Sequence, residues 1–130
     1  MRPVLAALLA FGLAGCHHHE IFPMDGTWER GGISGDHFGF VVMQLADDGT
    51  RATGVVCYSE SGHLIFRDVP ASGSYPRVAF DRPGGGRFEG GVISPDTING
   101  FFRLPNAGEQ EWAFQRTSAS AYESCRTSRP

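Results

Sequence analysis

Three consecutive histidines, His17, His18 and His19, followed by Glu20, are the side chains of this 130-residue chain best suited to metal chemistry. Imidazole nitrogens ligate zinc, copper and nickel, and a short His-rich tract brings several such ligands together. Adjacent histidines on an extended segment, however, fix no coordination geometry. We therefore interpret the tract as a solvated spacer and predict no metal site.

Two other groups of residues have the composition of a catalytic or phosphate-binding site. Ser34, Asp36 and His37 include the residue types of a hydrolase triad, but they lie within one turn of chain. A working triad orients its base between a nucleophile and a carboxylate from separate elements, so we interpret these residues as a turn. Gly84-Gly85-Gly86 lacks the lysine and the helix that follow a phosphate-binding loop. The sequence therefore predicts no catalytic residue, no cofactor and no enzymatic activity.

The thiol of Cys16 ends an apolar N-terminal segment. Met1-Arg2 is positively charged, and residues 3–13 form an uncharged stretch that is too short to span a bilayer as a helix. Leu13-Ala14-Gly15-Cys16 resembles the lipobox of bacterial lipoproteins. The resemblance implies that residues 1–15 are a cleaved signal peptide and that Cys16 carries a lipid. An ordinary secretory signal with a chance cysteine is the alternative.

The lipobox resemblance implies a domain that is anchored to a membrane through Cys16. His17 stands where lipoproteins of the inner membrane commonly carry Asp, so the resemblance implies the outer membrane, with the domain facing the periplasm and surface exposure left open. The chain has a net charge of −3 and no lysine, and loss of Arg2 makes the mature charge about −4. This balance predicts neither a nucleic-acid partner nor a polybasic membrane patch.

Cys57 and Cys125 remain once Cys16 is assigned to a lipid. An even pair of thiols in an oxidising compartment predicts a disulfide. Closing a loop of this length contributes roughly 4 kcal/mol of stability in the chain-entropy description. The alternative is a buried free Cys57 and an unpaired Cys125 in a C-terminal tail.

Short stretches of alternating apolar and polar residues, separated by turns rich in Gly, Pro and Asp, run through the rest of the chain. They predict eight strands at residues 27–30, 37–45, 52–59, 63–69, 77–81, 87–93, 97–104 and 111–117. Sequential hairpins need no long crossover, and pairing the first strand with the last removes two exposed edges. We therefore predict an all-β fold, a small antiparallel up-and-down β-barrel, in preference to a sandwich.

The alternation also predicts which side chains share a face of the barrel wall. In the second strand it places Phe38, Phe40 and Val42 on one face. We expect residues 16–24 to be a flexible tether, residues 25–117 to be the barrel, and residues 118–130 to be a polar tail attached through Cys125. No C-terminal helix is expected.

Gly26-Thr27-Trp28 resembles the Gly-x-Trp motif that begins the first strand of lipocalins and other calycins. Arg116, at the end of the last predicted strand, resembles the arginine that packs on that tryptophan. The resemblance implies a structural clasp in which a guanidinium lies over an indole and closes one end of the barrel. Ten Phe residues could fill such a barrel completely.

These features predict a non-catalytic binding module that recognises a small apolar ligand or a periplasmic protein, with Tyr58, Tyr75 and Phe101 near the rim. An inhibitor or immunity-type protein acting on a lysozyme or protease is one alternative. Ser72-Gly73-Ser74-Tyr75 resembles the Ser-Gly-x-x-Tyr loop of periplasmic lysozyme inhibitors but is one residue shorter. The second alternative is a structural accessory lipoprotein of an envelope complex.

Overall fold

The computed structural model describes residues 22–31, 38–60 and 64–128. The predicted lipidation site Cys16, the histidine tract and the Ser34–Asp36–His37 group lie outside these residues. The elements are β1 (Gly26–Arg30), β2 (Phe38–Asp47), β3 (Arg51–Glu60), β4 (Leu64–Ser74), β5 (Arg77–Asp81), β6 (Arg87–Ser94), β7 (Thr97–Leu104), β8 (Gly108–Thr117) and helix α1 (Ala119–Thr127). No helix among the described residues is long and apolar enough to cross a membrane.

The eight strands form a closed antiparallel barrel in which each strand pairs with the next and β8 pairs with β1. The predicted fold class and up-and-down topology are therefore confirmed. Closure works because every connection is a hairpin, so the chain winds round the barrel once and its first and last strands become neighbours. In the closing pair, Trp28 is the register partner of Arg116.

Apolar side chains fill the interior of the barrel from one end to the other. The largest fully buried ones there are Trp28, Trp112, Tyr58, Phe88, Phe102, Phe114, Met24, Met43, Ile98, Val41 and Val56. The aromatic rings pack against one another: Phe102 stacks on Trp112 with a centroid distance of 4.5 Å, and Phe88 meets Phe114 edge-on at 5.2 Å. Because eight strands enclose only enough room for side chains, these rings make the interior a packed core.

The predicted face of Phe38 is wrong. The register between β2 and β3 shifts by one residue between Phe38 and Val41. This bulge turns Phe38 into the core with Val41 and Met43, whereas Phe40 and Val42 pack on the outside of the barrel. Strict alternation does not account for the extra residue, because a one-residue slip exchanges the two faces of a strand.

The predicted polar tail without a helix is also wrong. Helix α1 packs against the outer surface of the barrel, where Tyr122 and Cys125 are buried beside Val42 and Cys57. The disulfide between Cys57 and Cys125 is present, with a Cα–Cα distance of 6.1 Å, so this predicted pairing is confirmed. The bond joins β3 to the helix and holds the C-terminal segment against the barrel.

The boundary between tether and barrel lies earlier than predicted. Met24 is fully buried, and its carbonyl oxygen accepts a 3.0 Å hydrogen bond from the Trp28 indole nitrogen. Phe22 packs against the core, and its backbone nitrogen and oxygen both bond the hydroxyl of Tyr75, at 2.8 and 2.9 Å. Residues 22–24 therefore belong to the folded domain.

Candidate functional site

The two ends of the barrel differ in how they are closed. At the end near the N-terminus, which we call the lower end, the Arg116 guanidinium carbon lies 4.2 Å above the centre of the Trp28 ring. The same guanidinium donates hydrogen bonds to the carbonyl oxygens of Pro95, Asp25 and Pro23, at 3.0, 2.6 and 2.7 Å. One side chain thus ties together the last strand, a hairpin turn and the segment that enters the first strand.

Gly26 explains why the motif at this end begins with glycine. Its φ of +130° is a conformation that side-chain-bearing residues rarely adopt, and a Cβ there would lie 2.6 Å from Arg116 Nη1. The glycine therefore leaves room for the guanidinium on the tryptophan. The structure brings the predicted pair Trp28 and Arg116 together as the sequence motif implied.

The upper end of the barrel carries buried charge. Arg82 Nε and Nη2 donate to the two carboxylate oxygens of Glu60 at 2.7 and 2.9 Å, and Nη1 donates to the Gly85 carbonyl oxygen at 2.8 Å. The side chain of Glu60 is 5% exposed and that of Arg82 is 18% exposed. The hydrogen bond to Glu60 raises the pKa of Arg82, so both groups are charged at neutral pH and neutralise each other.

Aromatic rings form the floor beneath these charges. The guanidinium carbon of Arg30 lies 4.3 Å from the centre of the Trp112 ring, and that of Arg82 lies 5.9 Å from the centre of the Phe38 ring. Burial, followed by the nearby Glu60 carboxylate, raises the pKa of Tyr58, so its hydroxyl is neutral at physiological pH. These charged and aromatic groups occupy the upper end beside an open cavity of about 360 Å³ that is lined by Phe38, Phe102 and Leu104.

Most of the remaining predicted site residues do not form a loop or a rim. Ser72 and Gly73 lie within strand β4, so the predicted binding loop is in fact a paired strand, and only Tyr75 lies in a turn. The Tyr75 hydroxyl forms hydrogen bonds with the backbone of Phe22. Tyr58 is buried in the core rather than placed at the rim. Ser72 and Gly73 lie in a strand because β4 extends to Ser74, beyond its predicted end at residue 69.

The outer wall formed by β5–β8 lies on the side of the barrel away from α1, which packs on β1–β4. Two large apolar side chains are exposed there: Ile93 at 57% and Phe101 at 46%. Between them a shallow groove runs over Gly91, bordered by Arg77 and Asn99. Phe101 was predicted to be an exposed contact residue at the rim, and the structure places it on the wall.

The sequence analysis missed Arg30, Glu60 and Arg82 as buried groups. Each lies at or just beyond a strand end, where a charged residue ordinarily points into water. Glu60 follows Tyr58 by two residues and therefore faces inward with it, which is the signal that could have identified it. Among the residues that the structure describes, no group of three or more His, Cys, Asp or Glu side chains could hold a metal ion.

Comparisons with known proteins find a likeness of fold alone. No protein-family model matches the chain, and neither does any curated protein. The barrel is similar to a solved de novo designed fluorescence-activating β-barrel, with a TM-score of 0.51 and 23% sequence identity over 72% of this chain and 94% of the designed one. This likeness supports a small eight-stranded antiparallel barrel, and the relation to lipocalins stays a prediction.

Proposed function

We propose that this protein is a lipid-anchored envelope protein that recognises a protein partner through its outer surface. The observation that carries the proposal is the filled interior. Trp28, Phe88, Phe102, Phe114 and Trp112 occupy the space that a carrier would keep for its ligand. A barrel whose interior is filled by the described side chains interacts through its wall, its ends or its helix.

The described surface offers what a protein interface uses. Protein interfaces are enriched in aromatic residues and arginine relative to the rest of the surface. Phe101 stands exposed on the wall beside the ion pairs that Arg103 makes with Glu89 and Glu109. Such a mixed apolar and charged surface favours recognition of a folded or extended polypeptide over uptake of a small apolar molecule.

The proposal is tested by photo-crosslinking of the full chain in the cells that produce it. A photoreactive residue replaces, in turn, Phe101 on the wall, Glu123 on α1 and Gln110 at the upper end. We expect a discrete adduct with a protein at one or more positions, and excess unmodified chain should abolish it. Absence of every adduct, together with a small apolar molecule bound to freshly purified protein in native mass spectrometry, would overturn the proposal.

The membrane anchor has its own test. We expect Cys16→Ser to move the protein from the membrane fraction to the soluble fraction, because the replaced thiol is the acceptor of the lipid implied by the lipobox resemblance. Cys57→Ser is the matched control: it replaces a cysteine of the barrel that is held in the disulfide, and it should leave the membrane association unchanged. If Cys16→Ser remained in the membrane fraction, the anchor would be wrong and recognition through the surface would still stand.

A further inference from the structure

The groove over Gly91 combines three features: a glycine on its floor, a polar side chain on either side, and an exposed apolar side chain near each end. In the sheet register Gly91 lies between Arg77 of β5 and Asn99 of β7, so its bare backbone separates two polar side chains. Strand spacing puts these two neighbours about 10 Å apart. Phe101 lies two residues from Asn99 along β7, and Ile93 lies two residues from Gly91 along β6, so an exposed apolar side chain stands near each end. We call this feature the Gly91 groove.

Asn99, which lines the groove, has a hydrogen-bond acceptor without a partner in the described part of the chain. Its Oδ1 atom is buried, yet it has no hydrogen-bond partner among the described residues. Buried polar atoms in folded proteins are nearly always paired, and leaving one unpaired costs about 1–3 kcal/mol. A turn of the Asn99 amide toward the groove would bring this atom within reach of an N–H group of a ligand, and that bond would satisfy it.

Arg77 presents an unused cation on the opposite side. Within the part of the chain that the structure describes, its side chain makes no ion pair and no hydrogen bond. Its neighbours on the same wall differ: Arg87 pairs with Asp81 and Glu89, and Arg103 pairs with Glu89 and Glu109. The charges around the groove are therefore largely neutralised, and the unpaired guanidinium determines the sign of a ligand group placed beside it.

We propose that the Gly91 groove binds an extended segment of the protein partner in which an acidic side chain lies close to apolar ones. The acidic side chain pairs with Arg77, a backbone N–H of the segment donates to Asn99 Oδ1, and apolar side chains pack on Phe101 and Ile93. Gly91 leaves the space for the segment, because any side chain at this position would occupy the floor and bring a Cβ to 3.0 Å from the Pro76 carbonyl oxygen. The inference rests on the proposed function and gives it a location and a ligand chemistry.

The acidic net charge of the protein does not prevent an acidic side chain of the partner from binding beside Arg77. Charges in water interact over about 8 Å at physiological ionic strength, so contacts inside the groove outweigh the distant carboxylates. An extended chain places alternate side chains on one face roughly 7 Å apart, which is also the spacing of Gly91 and Ile93 along β6.

The test uses labelled ten-residue peptides that alternate leucine or phenylalanine with glutamate, and the full chain as receptor. Fluorescence anisotropy measures affinity, and amide chemical shifts locate the peptide. We expect the glutamate peptide to bind at least tenfold more tightly than the same peptide with lysine for glutamate or with serine for the apolar residues. The largest shifts should fall on Gly91, Asn99 and Phe101.

Two pairs of variants separate the groove from general surface effects. Arg77→Glu should abolish the preference for the glutamate peptide, whereas Arg126→Glu, an equal charge change on α1, should preserve it. Phe101→Ala should weaken binding at least fivefold, and Leu64→Ala, which removes another exposed apolar side chain from β4, should not. Thermal melts of all four variants establish that each one folds.

Several results would overturn the inference. They are equal binding of the glutamate and lysine peptides, shifts that cluster away from the groove, and a dimer of the chain in sedimentation whose interface covers the groove without any peptide. If one of these held while photo-crosslinks to a protein still formed, recognition through the surface would stand and its assignment to the Gly91 groove would fall.

Discussion

Arg116 joins three separate parts of the described barrel through a single side chain. It lies on Trp28 and bonds three carbonyl oxygens from two separate segments. Hydrogen bonds from a charged donor are each worth about 1.5–3 kcal/mol, and exposure to water at this end reduces that figure. The clasp therefore depends on the single side chain of Arg116 and not on the pairing of a strand.

We therefore expect Arg116→Ala to lower the free energy of unfolding by about 2–3 kcal/mol, because it removes both the cation–π contact and the donor of these bonds. Trp28→Ala should cost about 3–5 kcal/mol, since it also leaves a cavity in the core. Urea unfolding measures both. Arg103→Ala is the control, because its ion pairs are exposed and should contribute less than about 1 kcal/mol. An unchanged midpoint for both clasp variants would refute the role of the clasp.

At the same scale, the sequence predicts the clasp and misses the buried charges. Trp28 and Arg116 belong to a motif with fixed positions at the start of the first strand and the end of the last. Glu60 and Arg82 belong to none, and their burial is produced by aromatic rings from strands that are distant in sequence. A residue-by-residue interpretation places charged side chains in water, so only the assembled barrel shows that these two pair with each other.

Among the elements, helix α1 shows most clearly what packing adds to local sequence. It has nine residues, and Ser118 at its start makes no side-chain capping bond. A helix this short is marginal on its own in water, and only two of its side chains, Tyr122 and Cys125, are buried. The helix forms because the disulfide and the outer apolar cluster hold it against β2 and β3, and neither contact can be detected within the helix sequence.

Tyr122 makes the docking of α1 sensitive to alkaline pH. Its hydroxyl donates a 3.1 Å hydrogen bond to Asp68 Oδ1, and burial together with that bond raises the pKa of Tyr122 from 10 to about 12. The folded state therefore holds this proton more tightly than the unfolded state does. Its contribution to stability is complete below about pH 10 and is lost as the pH rises through about 12.

We expect the free energy of unfolding of the native chain to fall between about pH 10 and 12, and that of Tyr122→Phe to fall less steeply, because phenylalanine has no proton to lose. Urea midpoints at closely spaced pH values, taken over short exposures, measure the two slopes. Tyr75→Phe is the control for loss of a tyrosine outside α1. Parallel slopes for the native chain and Tyr122→Phe would contradict the assignment of this proton to the helix contact.

The strands were more predictable than the helix, for a physical reason. Their inward residues alternate with outward ones, and β5, β6 and β7 follow that period, so Val78 and Phe80 point into the core as expected. The predictions of inward and outward residues fail where a strand departs from this two-residue alternation. The bulge in β2, which includes Gly39, and the positive φ of Asp68 in β4 each break the alternation. Glycine and aspartate favour such irregularities, but they also occur where a strand keeps its period, so they do not fix the position in advance.

For the whole molecule, the closure of the barrel and the filling of its interior depend on different features of the sequence. Closure follows from the order of hairpins, which the sequence displays. Whether the interior is hollow depends on the total volume of side chains that meet there, which becomes known only when the register is fixed. Phe38 enters the core through a bulge and fills space near Trp112 and Phe102, at centroid distances of 5.2 and 5.0 Å. One local irregularity thus helps to close the upper end.

A filled barrel predicts a specific response to the removal of one core ring. Phe88 is fully buried between Phe80 and Phe114, so Phe88→Ala should lower the free energy of unfolding by about 3–5 kcal/mol and leave an apolar cavity. Such cavities stay dry and bind benzene, so saturating benzene should raise the melting temperature of the variant by several degrees. The native chain and Phe101→Ala, which removes an exposed ring, should show no such rise.

Phe114→Ala, which removes another fully buried ring, provides the same comparison should the Phe88 variant fail to fold. If benzene raised the melting temperature of the native chain as much as that of the variant, the native interior would already contain usable space. A carrier of small apolar molecules would then explain the barrel better than surface recognition does. A response confined to the core variants instead ties the filled interior to a function exercised on the outside of the barrel.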